Sequence, residues 1–476
     1  MRRRTRTALA ATAGLTLLPG AALTQTSEQQ GAPATRETPT PGETGTEAQG
    51  TGLWERSDLF GDMGGLRPAL GRIGASLGLT ETSEVLGNPT GGSKTGAAYE
   101  GATEMSLGID LSKAVGLQGG LFNASAWQIH GRGLSTNNID NLMVVSSVEA
   151  DRATRLFELW YQQSFLEGKL DVRLGQLAAD QEFIISQYAG LFINSSFGWP
   201  TLPSVDLPAG GPAYPLATQG VRVRVLPNEQ TTLLLGAFNG NPAANANFPP
   251  SDPQLRNPSG ANIRFQGTFV IGEVQYAVNQ GEGAKGPPAT FKLGAWYSSN
   301  AFTDQFFAAG AETAAGPGVI PPGQHRGDWS VYAVVDQLVW RPPGAREGGG
   351  MGVFLRAMGA PANRNQIVAF VDGGVTLKGP FGRTDDSVGL GFGWARISGV
   401  TIAGEQALVA AGGQVPVQSA ETLLELTYQA QLAPWWVLQP DFQYVFSPGG
   451  GVLNPNGSGR VIGSAAVFGL RTVVTF

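Results

Sequence analysis

The sequence predicts an all-β protein: a transmembrane antiparallel β-barrel of about 16 strands, with a short N-terminal helical segment and loops folded inward. Three observations carry that reading. About fifteen short segments alternate apolar and polar residues with period two, the spacing that sends successive side chains to opposite faces of a strand. Charged residues are 14%, Gly reaches 69 and mean hydropathy is only −0.05, whereas soluble domains carry roughly 25% charge. A wall with lipid on one side and water on the other averages to such values. The last segment holds Phe468, Leu470, Thr472, Val474 and Phe476 on one face and ends on an aromatic residue, as a closing barrel strand should.

At the N-terminus a basic stretch to Arg6, an apolar run from Ala8 to Leu18 and the small residues Gly20-Ala21-Ala22 make 1–22 a secretory signal peptide. Its loss removes four arginines from a formal net charge of −6, and so acidic a chain is a poor ligand for nucleic acid. Residues 23–52 are Thr, Glu, Gln, Pro and Gly with scarcely an apolar side chain, which predicts a disordered low-complexity spacer. Residues 53–80 form an N-terminal periplasmic segment. In it Leu66, Leu70 and Ile73 share one helical face, with Pro68 in the first turn, which predicts a short amphipathic helix against the barrel base. Residues 81–476 are assigned to the barrel. Outside the leader no run of about 18 apolar residues occurs, so no spanning helix is expected. Cys is 0, which excludes disulfides and thiol chemistry.

The strand segments are 99–110, 120–130, 155–165, 169–176, 220–226, 231–238, 263–278 and 290–298. They continue at 330–340, 352–360, 367–378, 386–397, 422–432, 436–446 and 465–476. An even-numbered barrel then needs one more strand. Tight turns at 167–169 and 227–229 contrast with long connections at 131–154, 177–218 and 301–328, the asymmetry of an outer-membrane barrel with its long loops outside the cell. Within 177–218, residues 183–194 place Ile184, Tyr188 and Leu191 on one helical face. Pro200, Pro203, Pro208, Pro212 and Pro215 then favour an extended run. This loop is expected to fold inward and narrow the pore.

The hairpin over 155–176 sets Phe157, Leu159, Tyr161 and Phe165 against Glu158, Trp160, Gln162 and Ser164. After Glu167-Gly168-Lys169, Leu170, Val172 and Leu174 oppose Asp171 and Arg173. An acid, a base and a Trp on one polar strand face suit a sugar channel, because aromatic faces meet sugar C–H surfaces and charged or amide groups meet hydroxyls. The pore-lining and substrate-binding candidates are Glu158, Trp160, Gln162, Asp171, Arg173, Arg222 and Arg224. The same phase argument adds Glu273, Gln275, Lys292, Trp296, Glu425, Gln429 and Gln431. Any wide barrel has a charged lumen, so most of these need be no more than lining. Trp160 and Arg173 stand out, because this Trp sits among polar residues instead of in an interfacial girdle.

Catalysis is not expected. Glu158 with Asp171, and Asp385 with Asp386, are carboxylate pairs, but a watery lumen does not separate their pKa values. Gly74-Ala75-Ser76-Leu77-Gly78 matches the hydrolase nucleophile elbow without the strand before it and the helix after it. His130 and His325, the only histidines, lack any metal-ligand spacing, so no metal or cofactor is expected, and His130 reads as a lumen or loop residue. Gly389, Gly391 and Gly393 alternate within one strand, which suits close packing inside the barrel and not a dinucleotide fingerprint.

Several stretches, taken in order, resemble the carbohydrate-selective OprB-type porins of Gram-negative outer membranes. They are LFGDMGGLRPAL at Leu59, TSEVLGN at Thr82, SAWQIHGRGLS at Ser125, ATRLFELWYQQSF at Ala153 and VRLGQLAADQEF at Val172. SSFGWPTLPSVDLPAGGPAYPLATQGVRVRV at Ser195 and LTYQAQLAPWWVLQPDFQYVFSPGG at Leu426 complete them. The resemblance spans 53–476. It implies a 16-stranded barrel in the cell outer membrane, a constriction made by inward loops, and passive diffusion of monosaccharides such as glucose. By analogy with other porins a homotrimer is expected. The competing reading is a barrel-supported outer-membrane enzyme or adhesin.

Overall fold

The computed structural model describes residues 52–244, 252–280, 284, 286–308, 324–343, 348–457 and 459–476. The expected signal peptide over 1–22 and the spacer over 23–52, save Gly52, lie outside them. The strands are β1 (Ala75–Gly92), β2 (Gly96–Asp110), β3 (Gly120–Gly131), β4 (Ala153–Phe165), β5 (Leu170–Leu177) and β6 (Thr218–Asn228). There follow β7 (Thr231–Asn239), β8 (Thr268–Val278), β9 (Ala289–Phe302), β10 (His325–Trp340) and β11 (Gly350–Gly359). The last are β12 (Ile367–Lys378), β13 (Ser387–Ile397), β14 (Ala420–Ala433), β15 (Trp436–Phe446) and β16 (Gly463–Thr475). Every strand pairs antiparallel with its sequence neighbours, and β1 pairs β16, so the sheet closes on itself and has no free edge.

The fifteen expected segments are β2 to β16, and the strand that alternation missed is β1. It begins at Ala75, which corrects the expected barrel boundary at residue 81 and ends the N-terminal segment at Gly74. Its pattern is hard to see because both faces carry acids: Glu84 is buried in the lumen, while Glu81 lies in the outward phase with the exposed Val85.

The longest connections, at 132–152, 178–217, 240–267, 303–324 and 398–419, all follow odd-numbered strands, which end on one side of the barrel. The N-terminal segment docks at the other end, beside the short turns. Its helix α1 (Leu66–Arg72) forms as expected, yet none of its residues is buried and Leu66 and Ile73 stay exposed. The segment is held by residues before the helix and by Arg67 within it, which donates to the Phe476 carbonyl. The Leu59 N–H donates to the Thr475 carbonyl at 2.8 Å, Trp54 stacks on Trp435 at 5.8 Å, and Phe60 meets the terminal Phe476 at 5.1 Å.

In β4 one residue breaks the expected alternation. Ala126 pairs with Leu156 and Ala124 with Leu159, so Phe157 and Glu158 together oppose Ser125 in a β-bulge. The bulge turns Phe157 inward, where it meets Trp127 and Tyr214 edge-on, while Leu159 and Phe165 remain outside. Phe157 therefore does not share the lipid face with Leu159, as strict period two required.

The lumen is not evenly polar. The connection 178–217 folds into it and packs Phe183, Ile184, Leu191, Phe192 and Phe197 against inward residues of β7 to β15, among them Phe238, Phe269, Phe354 and Phe370. Residues 183–194 make no helix, only a 3-10 turn at Ala189–Leu191. The run after Gly198 is not extended but forms α3 (Thr201–Asp206), numbered after α2 (Leu111–Val115). Pro203 sits in the first turn of α3, where its missing N–H removes no helical hydrogen bond.

Gly389, Gly391 and Gly393 face inward on β13 and make room for the folded loops. A Cβ on Gly391 would lie 2.8 Å from both Phe192 and Phe197, and one on Gly393 would lie 2.8 Å from the Met143 sulfur. The alternation of glycines is thus a seat for loop side chains. Gly391→Val should cost about 1–3 kcal/mol by overpacking and raise single-channel conductance by pushing the loop off its seat. Unchanged conductance together with unchanged urea unfolding would refute this role.

Candidate functional site in the channel wall

Neighbouring strands β4, β5 and β6 bring the predicted polar residues together. Register places Gln162 beside Arg173 and Arg173 beside Arg222 in one row, with Asp171 beside Arg224 in the next. Arg173 donates from Nε and Nη2 to Gln162 Oε1 at 3.0 and 2.9 Å, and from Nη1 to Glu182 Oε1 at 2.8 Å. Arg222 donates to Gln162 Oε1 at 3.1 Å and pairs with both Asp171 and Glu182. Arg224 Nε donates to Asp171 Oδ2 at 2.6 Å. Adjacent guanidinium groups repel, and the two carboxylates threaded between them offset that repulsion.

Behind this cluster the Arg173 guanidinium lies 3.8 Å over the Trp160 ring, a cation–π contact. Trp160 Nε1 donates to Glu158 Oε2 at 3.1 Å, and the Ala178 N–H donates to Glu158 Oε1 at 3.2 Å. Trp160 is only 3% exposed, so it is a prop under Arg173 and not a stacking platform for a sugar. Glu158, Gln162, Asp171 and Arg222 are likewise buried, and this corrects their reading as water-facing side chains. Arg173 and Arg224 keep exposed edges, with 12% and 21% of their side chains accessible, and Glu182 keeps 16%.

Alternation could not single out Glu182. It belongs to the inward loop, where no strand phase applies, and the only signal was an acid at the start of a segment expected to enter the pore. Elsewhere the phase argument placed residues on the correct face but gave them the wrong task. Glu273 accepts the Ile184 N–H and the Tyr332 hydroxyl, each at 2.9 Å. Glu425 accepts the Ile193 and Asn194 N–H groups at 2.6 and 3.1 Å. Gln275 bonds to Glu273, Trp296 packs against Phe269, and Gln431 closes a turn on the Ala433 carbonyl. These wall residues hold the loop or the wall itself.

Arg356 on β11 is a further clamp on the loop. Its side chain is fully buried and forks onto Asp372, while its remaining N–H groups reach the carbonyls of Ile184 at 3.1 Å, Gly198 at 2.9 Å and Ser196 at 2.7 Å. At the loop's far end Asp206 accepts the Gln366 N–H at 2.7 Å. Burial pushes the Asp206 carboxyl well above the ordinary carboxylate range, against the pull of the Gln366 and Ile367 N–H groups.

The catalytic alternatives fail on geometry. Ser76 lies inside β1 with no helix after it. Asp386 is pinned by Arg383, the Tyr428 hydroxyl and the Gln431 N–H in a turn. Among the described residues no group of three or more His, Asp or Glu side chains is arranged to hold a metal. His130 faces outward from β3, and not into the lumen or a loop.

A closed barrel narrowed by an inward loop, with guanidinium and carboxylate edges in its wall, defines an outer-membrane channel of the porin class. Residues 94–476 match the model of the carbohydrate-selective porin, OprB family, and the chain belongs to that family. It is 25% identical over 416 residues to Porin B of Pseudomonas aeruginosa, covering 82% of this chain and 87% of the relative. It is 23% identical over 431 residues to the putative porin QuiX of Acinetobacter baylyi, covering 83% and 90%. The high-pH structure of Pseudomonas putida OprB superposes with a TM-score of 0.75 at 24% identity, covering 88% of this chain and 98% of that one. The protein is therefore a carbohydrate porin of the Gram-negative outer membrane and not an enzyme.

Arg356→Ala should leave Asp372 buried without its partner and destabilise the loop seat by about 3–5 kcal/mol. Planar-bilayer recordings should show larger and noisier openings. Arg356→Lys should not restore quiet openings, because an ammonium cannot make the bidentate fork. Quiet, native-sized openings in both variants would remove Arg356 from the constriction.

Proposed function

We propose that the channel passes glucose-like monosaccharides by passive diffusion, with Arg173, Arg224 and Glu182 as the water-facing contacts. The observation that supports this is the state of the two arginines. Each guanidinium is already held by Asp171, Gln162 or Glu182, so it offers its exposed edge without first losing rotamer freedom. Partial neutralisation by the same carboxylates weakens the pull on simple anions and leaves guanidinium donors and a carboxylate acceptor accessible to hydroxyls. A site that only diffusion drives must also release its cargo, and partly satisfied donors bind weakly enough for that. Asp171, Gln162, Arg222, Glu158 and Trp160 are positioning residues in this reading. Assembly as a homotrimer belongs to the same proposal, and no particular observation favours the adhesin or enzyme reading.

Glucose added to protein in a planar bilayer should lower the ion current in a saturable way. Arg173→Ala, which removes a charge-assisted donor, should weaken that block about tenfold, the equivalent of roughly 1.4 kcal/mol. A block equal to wild type in Arg173→Ala and in Glu182→Gln would place the sugar contacts elsewhere in the pore.

A further inference from the structure

Leu134, Ile139 and Val145 of the connection 132–152 pack on Leu86 and Ala98 of β1 and β2 and cover the inner wall there. Under that cover the wall carries oxygen atoms that nothing in the chain satisfies. Register sets Arg471, Glu84 and Glu100 side by side in one row across β16, β1 and β2, with Thr82 opposite Ala102 in the next inward row. Arg471 donates to Glu84 Oε1 and, from Nη2, to the Ser147 hydroxyl at 2.9 Å. That uses one of the two Glu84 oxygens. Glu84 Oε2, both carboxylate oxygens of Glu100 and the Thr82 hydroxyl are buried without a hydrogen-bond partner. Glu100 is only 2% exposed, so bulk water does not serve it.

The charges under the cover do not balance. Glu149, Glu84 and Arg471 are the charged groups that act on Glu100, so three acids stand against one base. Glu149 is met by the Ser135 and Thr136 N–H groups at 3.1 Å each, and neither donor brings a full charge. The next inward base, Arg155 on β4, faces the loop and donates to the Asp151 carbonyl at 3.3 Å. Like charges opposite one another on neighbouring strands repel, and a carboxylate taken out of water is normally paired or bound to a metal. No hydrogen bond joins Glu84 to Glu100, so a shared proton does not hold the two acids together. A buried water satisfies lone pairs but brings no charge.

We propose that Glu84, Glu100 and Thr82 form a binding site for a hard divalent cation of the size of Ca²⁺. Glu100 can chelate through both oxygens, Glu84 adds Oε2 and Thr82 its hydroxyl, and water completes the shell of about 6–8 oxygens that calcium takes in flexible geometry. The ion's charge matches the excess of acids. Mg²⁺ suits the site less, because it demands a near-ideal octahedron. The histidine spacing that argues against zinc has no bearing on an all-oxygen site, which needs two carboxylates and not the three-acid group that the described residues lack. Glu84 is tied through Arg471 to β16, so the ion secures the seam where the first strand meets the last. Nothing in this depends on which solute passes the pore.

Trp127 and Tyr214 pack with Ala102 beside the two acids, so Tb³⁺, which occupies Ca²⁺ sites, can be excited through their rings. The full chain, purified from outer membranes in detergent and stripped with a chelator, should give sensitised Tb³⁺ emission that excess CaCl₂ displaces. Glu100→Gln should lower that emission several-fold while single-pore conductance stays at the wild-type value, which shows that the barrel has folded. Should Glu100→Gln fail to fold, Thr82→Val keeps both carboxylates and should raise several-fold the Tb³⁺ concentration needed for half-maximal emission. No displaceable emission from the wild type would overturn the site and leave the space to water. Emission unchanged in a folded Glu100→Gln protein, or a Tb³⁺ requirement unchanged in Thr82→Val, would overturn it as well and place the cation elsewhere on the chain.

Discussion

The constriction depends on one constraint: a peptide segment drawn into the barrel must find partners for its backbone, because a buried N–H or C=O without one costs about 1–3 kcal/mol. The connection 178–217 has little regular structure to supply them internally. The wall supplies them instead. Glu273, Glu425 and Asp336 accept N–H groups along the loop, and Arg356 and Gln439 donate to its carbonyls. Acids and bases are thereby sorted by the loop's own polarity, acids where it presents N–H groups and Arg356 where three carbonyls converge. The apolar side chains of the loop then fill the spaces between these ties, against Phe354, Phe370 and the glycines of β13.

The loop is seated against β7 to β15 and, through Tyr214, against β3 and β4, while Arg173 on β5 and Arg224 on β6 keep accessible edges. This is why the arginine cluster matters more than its residue count suggests. Arg173 and Arg222 are cross-strand neighbours, a pairing that like charge disfavours, and they are held by acids from two different parts of the chain. Asp171 comes from the wall and Glu182 from the loop. The loop is thus both the plug that narrows the pore and the source of one charge in its lining. A shift of the loop would narrow or widen the channel and change its electrostatics together.

Much of the fold was legible in the sequence, because period two is a direct record of which face each residue takes. Fifteen strands, the unequal loops and the closing strand at Phe476 follow from it. It failed where a local rule was broken for a structural reason. β1 was hidden because acids occupy both its faces, and Phe157 was misplaced because a bulge adds one residue to β4. The site was legible by face but not by role. Alternation could show that Trp160 and Glu273 point inward, but whether an inward side chain meets water or a folded loop depends on a segment with no periodicity of its own. Glu182, which belongs to that segment, was invisible for the same reason.

The two faces of β1 show what strand phase means in this protein. On the inward face, Glu84 is paired with Arg471 across the β1–β16 seam, an ordinary arrangement for a lumen. On the outward face, Glu81 lies 3.4 Å from His130 Nε2 and satisfies its oxygens with Ser83 and Thr103. A single acid facing lipid could be a tolerated accident. The hydroxyl donors and the imidazole around Glu81 come from outward positions on β1, β2 and β3, so the acid is held within the wall itself. The strand that sequence patterning missed is therefore the one that carries acids on both faces.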